Sequence, residues 1–254
     1  TSQITAHVTN RMEINSRISL TTGIQSYYRS VVSNDRGDHS EISGGIYGIG
    51  YISFPDKINV SGGMRIEFDP FHSPDLLPQL NFSYSSGIFT LRGLAGKTIR
   101  NPDFTERYIS TNLSSLAPGR NLGNPYLLPE KSWSIEAGFG IKPLDIINFD
   151  MTLFNRYGYE LIDYVLTPGD EILSFHPLIP DEKYFYAKNI HSLTTRGVEF
   201  IMNASHSLGK RGSVWSTMAY SFQKPADTKG EISKYISNQS NRQFMFNTRY
   251  SGQR

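Results

Sequence analysis

Cysteine is absent from all 254 residues, so neither a disulfide framework nor a thiolate-bound metal is possible. Charge of one sign is also missing. Against 25 Lys and Arg stand 23 Asp and Glu, with no basic block, which argues against a nucleic-acid partner held by phosphate contacts. No apolar run approaches the ~20 residues that a spanning helix requires. The first ten residues, TSQITAHVTN, lack the charged and apolar regions of a secretory leader. The expectation is that either the protein stays inside the cell or the chain is a piece of a longer one. Helical periodicity is nearly absent. The apolar fraction of 38% is lean for a globular core, whereas fifteen Tyr, fifteen Phe and 22 Gly suit strands and turns.

What is present is period-2 alternation. In 132–141, Trp133, Ile135, Ala137, Phe139 and Ile141 alternate with Ser132, Ser134, Glu136, Gly138 and Gly140. In 57–68, Ile58, Val60, Met64, Ile66 and Phe68 alternate with Asn59, Ser61, Arg65 and Glu67. The same pattern marks 146–157 and 197–205, with Ile201 the exception, and runs more noisily through 13–28, 41–54, 80–98, 213–222 and 243–250. Short connections are expected near Asn10–Arg11 and at 54–57, 85–87, 143–145 and 209–212. Long polar ones are expected at 30–40, 69–78, 99–131, 165–183 and 223–240. Short and long alternate, so about eleven antiparallel strands would have tight turns at one end and long loops at the other.

That asymmetry suits an all-β, antiparallel transmembrane β-barrel. Lipid leaves unpaired backbone groups unsatisfied, so strands cross it only in a closed barrel. The apolar face then meets acyl chains and the polar face a wet or plugged lumen. Tyr27, Tyr28, Phe54, Phe68, Phe71, Tyr157, Tyr159 and Tyr184–Phe185–Tyr186 lie near expected strand ends, where interfacial aromatics sit. A soluble β-sandwich also alternates, but it has shorter strands and no reason to gather its long loops at one end.

Three segments carry a resemblance: AGKTIRNPDFTERY (95–108), GNPYLLPEKSWSIEAGF (123–139) and YFYAKNIHSLTTRGVEF (184–200). They resemble the barrel of TonB-dependent outer-membrane receptors. Gly96, Lys97, Arg100, Pro102, Glu106, Gly123, Asn124, Pro125, Leu127, Pro129, Glu130, Asn189, Gly197, Val198 and Glu199 match that family's pattern in order and spacing, over about 87–222. Pro125 and Pro129 fix φ and lack a donor, which suits an extended approach from an outer loop into a descending strand. The resemblance implies a 22-stranded barrel, of which eleven strands are half. The plug domain, the TonB-contacting segment and the final strands are expected to lie outside 1–254. It implies no enzymatic activity and no cofactor. Implied partners are outer-membrane lipid of a Gram-negative cell, TonB with its inner-membrane motor, and a small-molecule or metal-chelate ligand, with a surface lipoprotein as a further candidate. The implied cargo is a scarce solute: a ferric siderophore, cobalamin, haem or an oligosaccharide. A passive porin, or a soluble carbohydrate-binding module, is the alternative.

Other chemistry is sought without success. GLAGKT (93–98) mimics a phosphate loop, but Leu91 stands where that motif needs glycine, and no helix is expected to follow. GIYGIG (45–50) lies within a strand. His7, His39, His72, His176, His191 and His206 lack metal-ligand spacing, and His39, His72 and His176 read as solvated loop residues. Asp181 and Glu182 read as solvated loop charge, and no nucleophile elbow occurs. No catalytic or metal residue is expected. Two groups remain as a transport site. Arg100, Asp103, Phe104, Glu106, Arg107, Tyr108 and Arg120 offer charge and stacking at the mouth, as substrate-binding candidates. Arg65, Glu67, Arg92, Glu136, Asp150, Glu199 and Asn203 are expected to face the lumen or a plug.

Overall fold

The computed structural model describes residues 1–174, 177–225 and 240–252, apart from the side chains of His191 and Pro225. The candidate His176 and most of the expected loop 223–240 lie outside the described residues. Twelve strands occur among the described residues: β1 (Ser2–Glu13), β2 (Ile18–Ser33), β3 (Gly37–Ser53), β4 (Ile58–Asp69), β5 (His72–Ser86), β6 (Phe89–Arg100), β7 (Asn121–Leu122), β8 (Glu130–Leu144), β9 (Ile147–Pro168), β10 (Lys183–Ser207), β11 (Ser213–Pro225) and β12 (Arg242–Ser251). Eleven of them form an antiparallel meander in which each strand pairs with the next, β6 with β8 directly. The two-residue β7 instead adds to β10 in parallel. The sheet is open, since β1 and β12 each have one partner among the described residues. No described helix is long and apolar enough to cross a membrane, which says nothing about strands.

Cross-strand register carries the two faces across the sheet. Trp133, Ile135, Ala137 and Phe139 of β8 stand opposite Tyr157, Asn155, Leu153 and Met151 of β9. Leu153 and Met151 in turn face Val198 and Phe200 of β10. This face has nothing packed on it: Ile135 is 61% exposed and Leu153 51%. A soluble sandwich would cover it with a second sheet; lipid covers it in a membrane barrel. Trp133 and Tyr157, side by side, mark the upper edge of the apolar band.

The turns depart from the expected spacing in two ways. The first tight turn lies at 14–17, where the Asn15 Oδ1 accepts from the amides of Arg17 and Ile18. Asn10 and Arg11 pair within the β1–β2 ladder instead. The segments 30–40 and 69–78, expected as long loops, are mostly strand: β2 and β3 run to a turn over 34–36, and β4 and β5 meet at Pro70–Phe71. Strands satisfy their backbones by pairing whether or not their side chains alternate, so the ladder outlasts its sequence signal. Tight turns then end the strands at one side, and the long connection 101–129 lies at the other.

The buried apolar core sits beside that connection and not between sheets. One cluster joins Leu116 and Leu122 to Ile172, Tyr184 and Tyr186; a second joins Leu127 to Tyr164 and Ala187. Tyr184 and Tyr186 are therefore core residues instead of members of an interfacial aromatic belt.

Candidate functional site: a strap across the mouth of the sheet

Residues 101–129 start from a compact nucleus. The five-residue α1 (Phe104–Tyr108) opens with a complete capping box: Asp103 accepts from the amides of Thr105 and Glu106, and Glu106 accepts from the amide of Asp103. Arg100, the last residue of β6, makes two 2.8 Å bonds to the Glu106 carboxylate and bonds of 2.8 and 2.6 Å to that of Glu130. One planar guanidinium thus joins the strap to the first residue of β8. Donating hydrogen bonds to Glu130, then to Glu106, raises the pKa of Arg100 despite its partial burial. Glu130 also accepts from the Ile162 amide at 2.8 Å, which ties the same node to β9.

The rest of the strap docks on β9 and β10. Gly123 donates to the Ile109 carbonyl and Asn124 to that of Glu106, folding 121–125 against α1. Asn124 also donates to Ala187 O at 3.1 Å. Asn189 accepts from the Leu128 amide and donates to the carbonyls of Leu128 and Glu160, which satisfies three backbone groups with one side chain. With β7 on the edge of β10 and the two apolar clusters, this side is extensively held.

On the opposite side the strap reaches β2–β5. Tyr108 stacks on His39 with ring centroids 3.6 Å apart and planes 8° from parallel. The Arg107 guanidinium lies 3.9 Å above the Phe71 ring. Asn112 donates from its amide to Asp35 O at 3.0 Å and from its side chain to Asn34 O at 3.1 Å. Beneath this contact Arg29 is paired with the buried Glu41. His39 and Glu41 share the sheet face of Arg65 and Glu67, as the β2–β3 and β3–β4 registers show. Tyr164 and Ala187, opposite each other in the β9–β10 ladder, lie on that face too. The strap thus spans the inner side of the mouth from β2 to β10.

The sequence-predicted mouth residues have unequal places. Arg100, Asp103 and Glu106 are engaged within the strap. Arg107 was expected at the mouth surface but is 1% exposed, with one bond, to Pro125 O at 3.0 Å. Apolar and charged neighbours exclude water there, and burial lowers its pKa. Burial likewise raises that of Tyr108. Phe104 is half-buried beside Tyr108, and Arg120 is exposed. His39, Asn112 and Phe71 carry contacts that no motif announces. Asn124, Glu130 and Asn189 stand in the quoted motifs, which mark them without giving their partners.

The seven lumen candidates share one face. Arg92, Glu136, Asp150, Glu199 and Asn203 are linked through the β6–β8–β9–β10 ladders, and Arg65 and Glu67 join them through β5. Arg65 pairs with Glu67 at 2.5 Å and donates to Gln25 at 3.1 Å. Arg92 pairs with Asp150 at 2.7 Å, lying along the wall above Gly138, where a Cβ would come within 3.0 Å of it. Asn203 accepts from Thr217. Glu136 and Glu199 have no hydrogen bond or ion pair among the described residues. They line a recess of about 640 Å³ with Glu130, Asp163, Arg156 and Gln223. Glu130 is held by Arg100, so Glu136 and Glu199 are the carboxylates this wall offers to cations and hydrogen-bond donors. No three described His, Asp or Glu side chains are arranged to hold a metal.

Solved structures share this architecture. The siderophore receptor PirA from Acinetobacter baumannii superposes with a TM-score of 0.66 at 17% identity, over 91% of this chain and 38% of its own. The ferric enterobactin receptor PfeA from Pseudomonas aeruginosa, in complex with enterobactin, gives 0.68 at 15%, over 89% and 36%. The haemophore receptor HasR from Serratia marcescens, in complex with its haemophore HasA and haem, gives 0.65 at 14%, over 87% and 41%. The chain thus spans less than half the length of each of these three structures. No curated protein sequence matches significantly. The family model described as TonB dependent receptor-like, beta-barrel matches residues 5–254, almost the whole chain. A two-faced meander with a motif-built strap at its mouth is thereby placed: the chain belongs to the TonB-dependent receptor β-barrel family.

Proposed function

We propose that the chain is part of the barrel wall of a TonB-dependent importer in a Gram-negative outer membrane, moving a scarce solute such as a ferric siderophore, cobalamin, haem or an oligosaccharide. The observation that carries this reading is the strap. About thirty residues between β6 and β8 lie across the inner side of the opening and obstruct it. A blocked mouth calls for a coupled opening step, which the family draws from TonB and the inner-membrane proton gradient.

In this reading the tight turns face the periplasm and the strap faces outside. A plug domain supplied by the rest of the polypeptide occupies the lumen. Arg65, Glu67, Arg92, Asp150 and Asn203, already paired along the wall, offer it their remaining hydrogen-bond capacity. Glu136 and Glu199, unpaired, take its cationic groups. The exposed ends of Asp103 and Arg120, with Phe104, meet the solute. The siderophore and haem receptors among the structural relatives support this class of cargo.

The test is uptake of labelled ferric siderophore or haem by cells carrying the full native polypeptide, with and without a collapsed proton gradient. Import should stop when the gradient is collapsed. Import that continues unchanged would identify a passive channel and end the proposal.

A further inference from the structure

The strap has one firm side and one weak side. Against β8–β10 it uses β7, two apolar clusters, the Arg100–Glu130 node and the Asn124 and Asn189 side chains. Because α1 is bonded to 123–125, it belongs to this firm body. Against β2–β5 it uses one aromatic stack, one guanidinium over one ring, and four hydrogen bonds, two from Asn112 and two joining Asn101 to Asp69 and His72.

The weak side also buries polarity without partners. Nε and Nη2 of Arg107, Nε of Arg29 and Nε of Arg36 are shielded from solvent and donate no bond among the described residues. Buried donors left unpaired favour any state in which water reaches them. Ser110, which follows α1 and is 1% exposed, has a left-handed φ of 61° that is uncommon for serine. The docked side also carries Ser132 Oγ unpaired and a left-handed φ of 54° at Glu160, but the unpaired guanidinium donors among the described residues gather along this boundary.

We propose that the boundary between the strap and β2–β5, lined by Tyr108–His39, Arg107–Phe71 and Asn112–Asp35, is the line along which the mouth opens, with residues 101–129 swinging as one body on β8–β10. Opening hydrates Arg107, Arg29 and Glu41 and parts the aromatic stack while the docked side keeps its hydrogen bonds. The inference rests on geometry alone and stands whether or not the chain imports solutes.

Hydrogen exchange on the full native polypeptide in outer-membrane vesicles tests it. The Asn112 amide crosses the boundary to Asp35, whereas those of Gly123, Asn124 and Phe185 lie within the docked body. Asn112 should exchange at least tenfold faster than the other three. Equal or slower exchange at Asn112 overturns the proposal. A second measurement uses the absence of native cysteine from this chain. In the Asp35→Cys/Asn112→Cys variant, oxidation should slow exchange at Ile109–Thr111 at least tenfold relative to the reduced form. Identical exchange in the two forms would place the opening elsewhere.

Discussion

Arg100 and Glu106 stand six residues apart and are joined by two parallel 2.8 Å hydrogen bonds, while the same guanidinium holds Glu130 from the far end of the connection. The strap begins and ends at one planar cation. Arg100→Lys keeps the charge but loses the fork, so it should hold one carboxylate instead of two. The expected cost is about 1–3 kcal/mol of local stability, read as faster amide exchange over 101–109. Exchange unchanged in this variant would show that the node is ornamental.

Gly123 is packed against the end of α1. An added Cβ would lie 2.6 Å from the backbone of Arg107 and Tyr108, and backbone does not yield as a side chain does. Gly123→Ala should displace α1 at a cost of about 1–3 kcal/mol and expose Arg107. Limited trypsin digestion after Arg107 measures it, and the variant should be cut while the parent resists. Equal resistance would mean that α1 is not seated on Gly123.

Leu153 and Thr152 are neighbours on opposite faces. Leu153→Lys puts a charge on the lipid side, where the cost is about 2–4 kcal/mol near mid-membrane. Thr152→Lys puts it on the polar side, opposite Glu199. The first should reduce the yield of heat-modifiable folded barrel and the second should leave it near the parent level. A reversed order would falsify the assignment of faces.

Tyr108 gives a pH dependence of known sign. Its ordinary pKa is 10.0, and burial raises it in the folded strap. The folded form then holds the phenol proton more tightly than the unfolded form. Strap stability due to Tyr108 is complete below pH 10 and falls as pH rises through the folded value. The difference in tyrosinate absorbance between the parent and Tyr108→Phe should titrate above 10.0. A component titrating at or below 10.0 would contradict the burial.

Much of the architecture was legible in residue order. Alternation at i, i+2 is a local property, so Trp133 to Ile141 and Leu153 to Phe149 announce their faces without knowledge of neighbours. Three spaced motifs announced the family, and the tight turns at 54–57 and 209–212 fell where they were expected, while the one expected at 143–145 lies at 145–146. The Asn10–Arg11 turn did not, because an asparagine can sit in a ladder as well as in a turn. The loops at 30–40 and 69–78 were overestimated because polar strand ends can lose alternation and still keep pairing.

Residue order by itself determined which side chains share the apolar face of the sheet and which the polar face, since the pleat fixes that at each step of the chain. Tertiary structure alone decided what the motif residues do. Arg100 finds Glu130 thirty residues on, Asn124 finds Ala187 sixty-three on, and Asn112 finds Asn34 seventy-eight back. A charged residue such as Arg107 reads as solvated until the partners that bury it are placed. Burial is a property of what folds over a residue, and that is set by contacts that no local pattern encodes.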